Sequence, residues 1–98
     1  MSKIAKGAVA KATKKGYPKL FDKVGFNGFD LIHAHDKLAA QLVSELDECD
    51  QVVYVGYSDS HSNYPDLLAS FVDCQNGKRF WVKNGVLQYG MEQQTEQL

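Results

Sequence analysis

Hydrophobic and polar residues follow two different periods along this chain, and the period changes near residue 50. Before that point apolar residues recur every three to four positions, as in amphipathic helices, and after it they alternate as in strands. The pattern predicts an α+β fold with two N-terminal helices packed on a roughly four-stranded antiparallel meander sheet. All 98 residues fit one domain, in which residues 91–98 form a frayed polar tail.

The first predicted helix covers residues 2–15. Ser2 suits its N-cap, and Gly16 and Pro18 suit its end. Most lysines of this segment lie opposite a weakly apolar side, so its burial contributes little and the helix is expected to be loosely held. The residues of that side are Ile4, Ala5, Ala8, Val9 and Ala12.

The second predicted helix covers residues 30–48, and a hairpin about Asn27-Gly28 is the competing interpretation of its start. Asp47, Glu48 and Asp50 crowd its C-terminal end, where the helix dipole disfavours acids, so we expect them to pair with lysines or to serve a partner. One stripe is expected to face the core: Leu31, His35, Leu38, Ala39, Leu42, Leu46 and Cys49.

Four strands are predicted after residue 50, the first over residues 51–57. Two Asn-Gly pairs, at residues 76–77 and 84–85, are each interpreted as two-residue type I′ turns, which places Val72 opposite Trp81. The core side of the last three strands would carry Leu67, Ala69, Phe71, Phe80, Val82, Leu87 and Tyr89. The other side would carry Ser70, Val72, Cys74, Arg79, Trp81, Lys83, Val86 and Gln88.

Composition limits the class of protein. With 44% hydrophobic and 23% charged residues, the chain is globular, and a chain this short is expected to have little left over to wall a deep cavity. No apolar run is long enough to cross a bilayer, and no apolar block follows the basic start as in a signal peptide. Cys49 and Cys74 lack a metal or redox spacing, so we expect free thiols and a cytoplasmic location.

The net charge of -1 conceals a strongly basic N-terminus. Residues 1–23 hold seven lysines against the single acid Asp22, and the rest of the chain is acidic. A nucleic-acid accessory protein that contacts phosphates through these lysines is therefore one alternative, although the absence of arginine there argues against reading of base edges. The lysines are Lys3, Lys6, Lys11, Lys14, Lys15, Lys19 and Lys23.

The preferred hypothesis is a small non-catalytic binding or regulatory protein that occupies a surface of a macromolecular partner, which we expect to be another protein. Inhibitors from phages and mobile elements often work in this way. The predicted contacts are an indole between two cations over a valine, namely Trp81, Arg79, Lys83 and Val72. Asp47, Glu48 and Asp50 form a second contact set. Unpaired edges of the first and last strands also leave room for a homodimer.

Catalysis is a further alternative, as a small hydrolase or ligand-binding domain that uses the loop at residues 58–65. Asp59, His61 and three serines lie together there, but closeness in sequence does not make a triad. His33 and His35 would point roughly 200° apart on a helix, so they are not expected to share a metal. His35 is instead expected to be a hydrogen-bonded histidine at the edge of the core. No catalytic residue, metal or cofactor is assigned.

Overall fold

The computed structural model describes residues 3–88. Its elements are one helix, α1 (Pro18–Ser44), and four strands, β1 (Val52–Tyr57), β2 (Ala69–Cys74), β3 (Arg79–Lys83) and β4 (Val86–Gln88). The strands form an antiparallel sheet in the order β1-β2-β3-β4, which confirms the α+β class and the meander. Ser2, Tyr89 and the predicted tail at 91–98 lie outside the described residues.

Residues 3–8 do not form the predicted first helix but run along the outer edge of β1. The Val52 N–H donates to the Lys3 carbonyl at 2.6 Å, and the Val55 N–H donates to the Ala8 carbonyl at 3.0 Å. The prediction of two helices is therefore wrong. The edge of β1 offers unpaired backbone groups, and pairing with them outweighs a short helix whose apolar side is mostly alanine.

The helix α1 begins where the sequence predicted a break. Pro18 stands in its first turn, where a missing N–H leaves no hydrogen bond unmade. Gly25 has φ +71°, so a kink separates two helical segments. The helix continues through Asn27 and Gly28, which excludes the competing hairpin, and it ends at Ser44 instead of residue 48.

The buried side of α1 is rotated away from the predicted stripe. Leu31 and Leu38 of that stripe are 53% and 45% exposed, whereas its His35 and Ala39 are buried as predicted. Ala40, which lay outside the stripe, is also fully buried. Two small residues let the helix backbone approach the sheet closely, an effect that the apolar period does not reveal because it counts alanine and leucine alike. The buried residues of α1 are Gly28, Phe29, Ile32, His35, Asp36, Ala39, Ala40 and Val43.

The β2–β3 hairpin has a register one residue away from the predicted one. Its loop has three residues, because the Cys74 N–H donates to the Lys78 carbonyl at 2.8 Å and Gly77 takes φ +92°. Phe71, not Val72, therefore lies opposite Trp81. A shift of one residue moves every side chain of β2 to the other face of the sheet. Ser70, Val72 and Cys74 thus face α1, and Ala69, Phe71 and Asp73 face away.

The β3–β4 hairpin has the predicted two-residue turn. Asn84 has φ +47° and Gly85 φ +76°, the left-handed pair that a type I′ turn requires. Val82 lies opposite Leu87, as predicted.

Cys49 and Cys74 form a disulfide, so the prediction of free thiols is wrong. Their Cα atoms are 5.5 Å apart, and both residues are buried. Residues far apart in sequence meet because β2 ends beside the segment that joins α1 to β1. The two cysteines therefore no longer support the expectation of a reducing compartment, which rested on their being unpaired.

Candidate functional site

The sheet presents one face to α1 and another away from it. Side chains alternate along a strand, and Val72, Phe80 and Val82 belong to the core with the helix. The opposite side chains form what we call the helix-free face, which consists of Tyr54, Phe71, Asp73, Arg79, Trp81 and Lys83.

A row of aromatic rings crosses the helix-free face. Ring centroids are 5.8 Å apart for Tyr54 and Phe71, and 5.7 Å apart for Phe71 and Trp81. The imidazole of His61 continues the row at 4.3 Å from Trp81. Gly56 makes room for the Phe71 ring of this row, since a Cβ at residue 56 would lie 2.5 Å from Cζ of Phe71. The row therefore joins β1, β2, β3 and the loop after β1 in one surface.

Arg79 lies over this row and is paired. Its guanidinium carbon is 4.2 Å from the Phe71 ring centroid, and its Nε and Nη2 donate to the two Asp73 carboxylate oxygens at 2.6 and 3.0 Å. The hydrogen bond with Asp73 raises the pKa of Arg79 above its usual value. The positive charge is thus largely compensated, and the surface presents a fixed ion pair on an aromatic ring.

Trp81 shares this face with Arg79 and Lys83, as the alternation in β3 predicts, but its indole is not open to solvent. Trp81 is 5% exposed beneath the His61 ring, and its Nε1 has no hydrogen-bond partner among residues 3–88. Val72 lies on the other face and is fully buried. Phe71 takes the place beside Trp81 that was predicted for Val72.

The loop after β1 holds His61 in place. Ser58 and Ser60 hydroxyls lie 2.8 and 3.2 Å from His61 Nδ1, and the Asp59 carboxylate pairs with Lys23 Nζ at 2.9 Å. Asp59 is therefore engaged by a lysine of α1 and not by the histidine beside it in sequence. These contacts orient the imidazole over Trp81, and the hydrolase hypothesis stays a prediction.

Asp47, Glu48 and Asp50 are all exposed, and Asp50 also has a structural role. Asp50 Oδ1 accepts the N–H groups of Gln51 and Asn76 at 2.8 and 3.1 Å, which anchors the β2–β3 turn. Asp47 and Glu48 are exposed and lie beyond the end of α1, so they do not oppose its dipole. Only Asp47 and Glu48 present open carboxylates for a second contact set.

The N-terminal lysines do not form one stripe, because their segment is not helical. Lys3 Nζ donates to the Leu46 carbonyl at 2.7 Å, Lys11 pairs with Asp30, and Lys14 lies 4.8 Å over the Phe21 ring. With Lys23 bound to Asp59, four of the seven have contacts within the chain. Lys6, Lys15 and Lys19 are exposed.

A buried chain of hydrogen bonds links α1, β2 and the β3–β4 turn. The Gly85 N–H donates to His35 Nε2 at 3.0 Å, so the proton of the neutral ring is on Nδ1 and is donated to Ser70 Oγ at 2.8 Å. Ser70 Oγ in turn donates to Asp36 Oδ1 at 2.6 Å. The prediction of a hydrogen-bonded core-edge histidine is confirmed, whereas Ser70 and Asp36 were missed because their meeting depends on the β2 register.

Burial shifts the pKa of both titratable residues in this chain of hydrogen bonds, Asp36 and His35. Desolvation raises the pKa of Asp36 to about 6, against the opposing effect of the Ser70 hydrogen bond. Desolvation also lowers the pKa of His35. A buried carboxylate that is still charged near neutral pH costs stability.

Within residues 3–88 there is no cluster of three or more His, Cys, Asp or Glu side chains able to hold a metal ion. None of the helical segments described combines the length and apolar character needed to cross a membrane.

The chain matches no protein family, no curated protein and no solved structure. Its function therefore has to be inferred from its own residues.

Proposed function

We propose that this protein is a small non-catalytic binding protein that occupies a surface of another protein through the helix-free face. The observation that carries the proposal is the aromatic row from Tyr54 to His61, with the Arg79–Asp73 pair lying on it. Aromatic and arginine side chains are enriched where protein interfaces hold most of their binding energy. By covering a partner's surface, such a protein regulates or inhibits it without chemistry of its own.

A protein partner is favoured over a nucleic acid. Phosphates need uncompensated cations, and Arg79 is bound to Asp73. Bases need an accessible ring face on which to stack, and Trp81 is covered by His61. Aromatic side chains and arginine are instead enriched at the centre of protein interfaces.

The nucleic-acid alternative rests on the N-terminal lysines, of which Lys6, Lys15 and Lys19 are the exposed ones. Binding to generic DNA or RNA that weakens steeply with added salt, and that is lost on replacing these three by glutamine, would favour it over a protein partner.

We also propose a cytoplasmic location and a homodimer, each with less support than the binding face. The location no longer has the support of free thiols. For a dimer, residues 3–8 already cover part of the β1 edge, so β4 is the edge that a second copy would use.

The test is capture of a partner from the native host by the tagged full chain, followed by a titration with the identified partner. Tyr54→Ala and Lys83→Glu each remove an interaction of the helix-free face and should weaken binding on the order of tenfold. Their matched controls are Phe26→Ala and Lys37→Glu, which alter exposed residues of α1. Equal binding by all four variants overturns the assignment of this face.

The second contact set is tested in the same titration with the double variant Asp47→Asn/Glu48→Gln. Weaker binding by this variant assigns the two exposed carboxylates to the interface. Unchanged binding removes them from it and leaves the helix-free face as the only proposed contact.

A further inference from the structure

A cavity of about 730 Å³ lies between the N-terminal segment, α1 and β1. The last hydrogen bond between the segment and β1 joins Ala8 to Val55, and residues 10–19 then form one wall of the cavity. This volume lies within the range of pockets that hold small molecules. The sequence predicted little material to wall a deep cavity. The wall formed by residues 10–19 was not foreseen, because residues 2–15 were predicted to form a helix.

The walls are mostly apolar and unusually aromatic. Four rings contribute, those of Tyr17, Tyr54, Tyr57 and Phe71, together with aliphatic Leu20, Ile32 and Val55. Aromatic walls favour planar ligands, whose faces stack on them or meet their edges. An apolar body of one or two rings is the shape that such a cavity accommodates.

Two polar atoms at the cavity are buried without a partner. His33 Nδ1 and the Tyr57 hydroxyl have no hydrogen bond among residues 3–88, and both residues line the cavity. Buried polar groups in folded proteins are nearly always hydrogen-bonded, so each exception needs an explanation. Neither atom is open to the cavity as the side chains stand, so each side chain has to turn for a ligand to provide the missing hydrogen bond.

Asp36 supplies a third polar group. Asp36 is one of the residues that line the same cavity, and its Oδ1 accepts the Ser70 hydroxyl. A carboxylate accepts hydrogen bonds and so selects a ligand with an N–H donor. Three lysines line the cavity, of which Lys11 and Lys23 are paired with Asp30 and Asp59 and Lys19 is exposed to solvent. The two ion pairs neutralise most of the positive charge there, so the cavity does not require a charged ligand.

We propose that this cavity binds an uncharged, amino-substituted heteroaromatic molecule of up to nucleoside size. The aromatic walls hold its rings, Asp36 accepts from its amino group, and the Tyr57 hydroxyl donates to a ring nitrogen. An aminopurine or aminopyrimidine edge offers a donor and an acceptor side by side, as these two residues require. Asp36 and Tyr57 lie on the α1 side of the sheet, whereas Tyr54 and Phe71 belong to the helix-free face as well as to the cavity wall. The two proposed sites therefore adjoin at Tyr54 and Phe71.

The experiment is a titration of the purified full chain with adenosine and cytidine, followed by amide chemical shifts and calorimetry. Purine riboside, which lacks the amino group, is the matched probe. We expect adenosine or cytidine to shift amides around Gly56 and His33, and purine riboside to bind on the order of tenfold more weakly. Asp36→Asn should weaken the amino-bearing probe by a similar factor, while Asp66→Asn at an exposed position should not.

Tyr57→Phe separates a binding role from a structural one. It should weaken binding about fivefold while leaving the melting temperature of the unliganded protein unchanged or higher, because it removes a buried hydroxyl that has no partner. Tyr64→Phe, which alters a tyrosine outside the cavity lining, is the control. Ala12→Trp, which fills the cavity, should abolish binding of every probe; its folding is checked by the dispersion of its amide spectrum.

Absence of shifts at the cavity with all three probes overturns the site. Equal binding of purine riboside and adenosine, with no effect of Asp36→Asn, overturns the ligand class. Neither result bears on the helix-free face, because no partner protein is present and Tyr54 and Lys83 are unaltered.

Discussion

Phe71 lies directly opposite Trp81 in the β2–β3 ladder, with their ring centroids 5.7 Å apart. This pairing results from the three-residue loop that ends at Gly77, because a two-residue loop would have placed Val72 there. The shift exchanges an aliphatic neighbour of Trp81 for an aromatic one and creates the row of rings on the helix-free face. It also turns Ser70 inward, where it bridges His35 and Asp36.

Replacing Asp36 by Asn is expected to stabilise the protein at neutral pH by about 1–3 kcal/mol. Asn keeps the oxygen that accepts from Ser70 but carries no charge to desolvate. Asp36 has a folded-state pKa of about 6, against the ordinary value of 3.8 for an aspartate. Between these two pH values the folded protein therefore holds the Asp36 proton more tightly than the unfolded chain does. The full free-energy cost of burying the charge is reached only above the folded-state pKa.

The gain from Asp36→Asn should accordingly shrink as the pH falls from 6 toward 3.8. Urea unfolding of both proteins across this range measures it, and the shared contribution of His35 largely cancels in the difference. A gain that stays constant with pH, or a loss of stability at neutral pH, would show that charge burial is not the cause.

His35 is expected to lose its contribution to stability on acidification. Its Nε2 accepts from the Gly85 N–H, which a protonated ring cannot do, and desolvation lowers its folded pKa below the ordinary histidine value of 6.5. The unfolded state then binds more protons between the two pKa values, so stability falls as the pH drops below about 6.5. Nitrogen NMR should show the proton on Nδ1 and a titration midpoint below 6.5. The opposite tautomer would contradict the hydrogen-bond chain.

Gly56→Ala is expected to destabilise the protein by about 1–3 kcal/mol, because its Cβ would meet the Phe71 ring at 2.5 Å. Truncating the ring with Phe71→Leu should remove most of this cost, so the two substitutions are not additive. A double-mutant cycle by denaturant unfolding measures the coupling. Additive effects would mean that the ring does not lie over Gly56.

Loss of the disulfide is expected to cost about 3 kcal/mol, since the bridge closes a loop with a sequence separation of 25 residues. The test compares unfolding of the wild type with that of Cys49→Ala/Cys74→Ala. Counting free thiols in the unfolded, unreduced protein provides the control and should find none. Two titratable thiols would restore the prediction of free cysteines.

Predictions that depend on local pattern succeeded for much of the sheet and for part of the site. Alternation identified β1, β2 and β3, and Asn84-Gly85 set the β3–β4 register. Alternation within β3 also placed Arg79, Trp81 and Lys83 on one face. These features depend on residues close in sequence, so side-chain types and turn chemistry are sufficient to predict them.

The amino-acid sequence by itself thus determined the α+β class, the order of the strands and the outward direction of the β3 cations. Only the tertiary structure decided the path of residues 3–8, the β2 register, the Cys49–Cys74 pair and the cavity. Each of these depends on contacts between distant segments, above all the free edge of β1 and the anchoring of the Asn76 turn by Asp50. Pairing across such distances is selected by total burial and hydrogen bonding, which no local period contains.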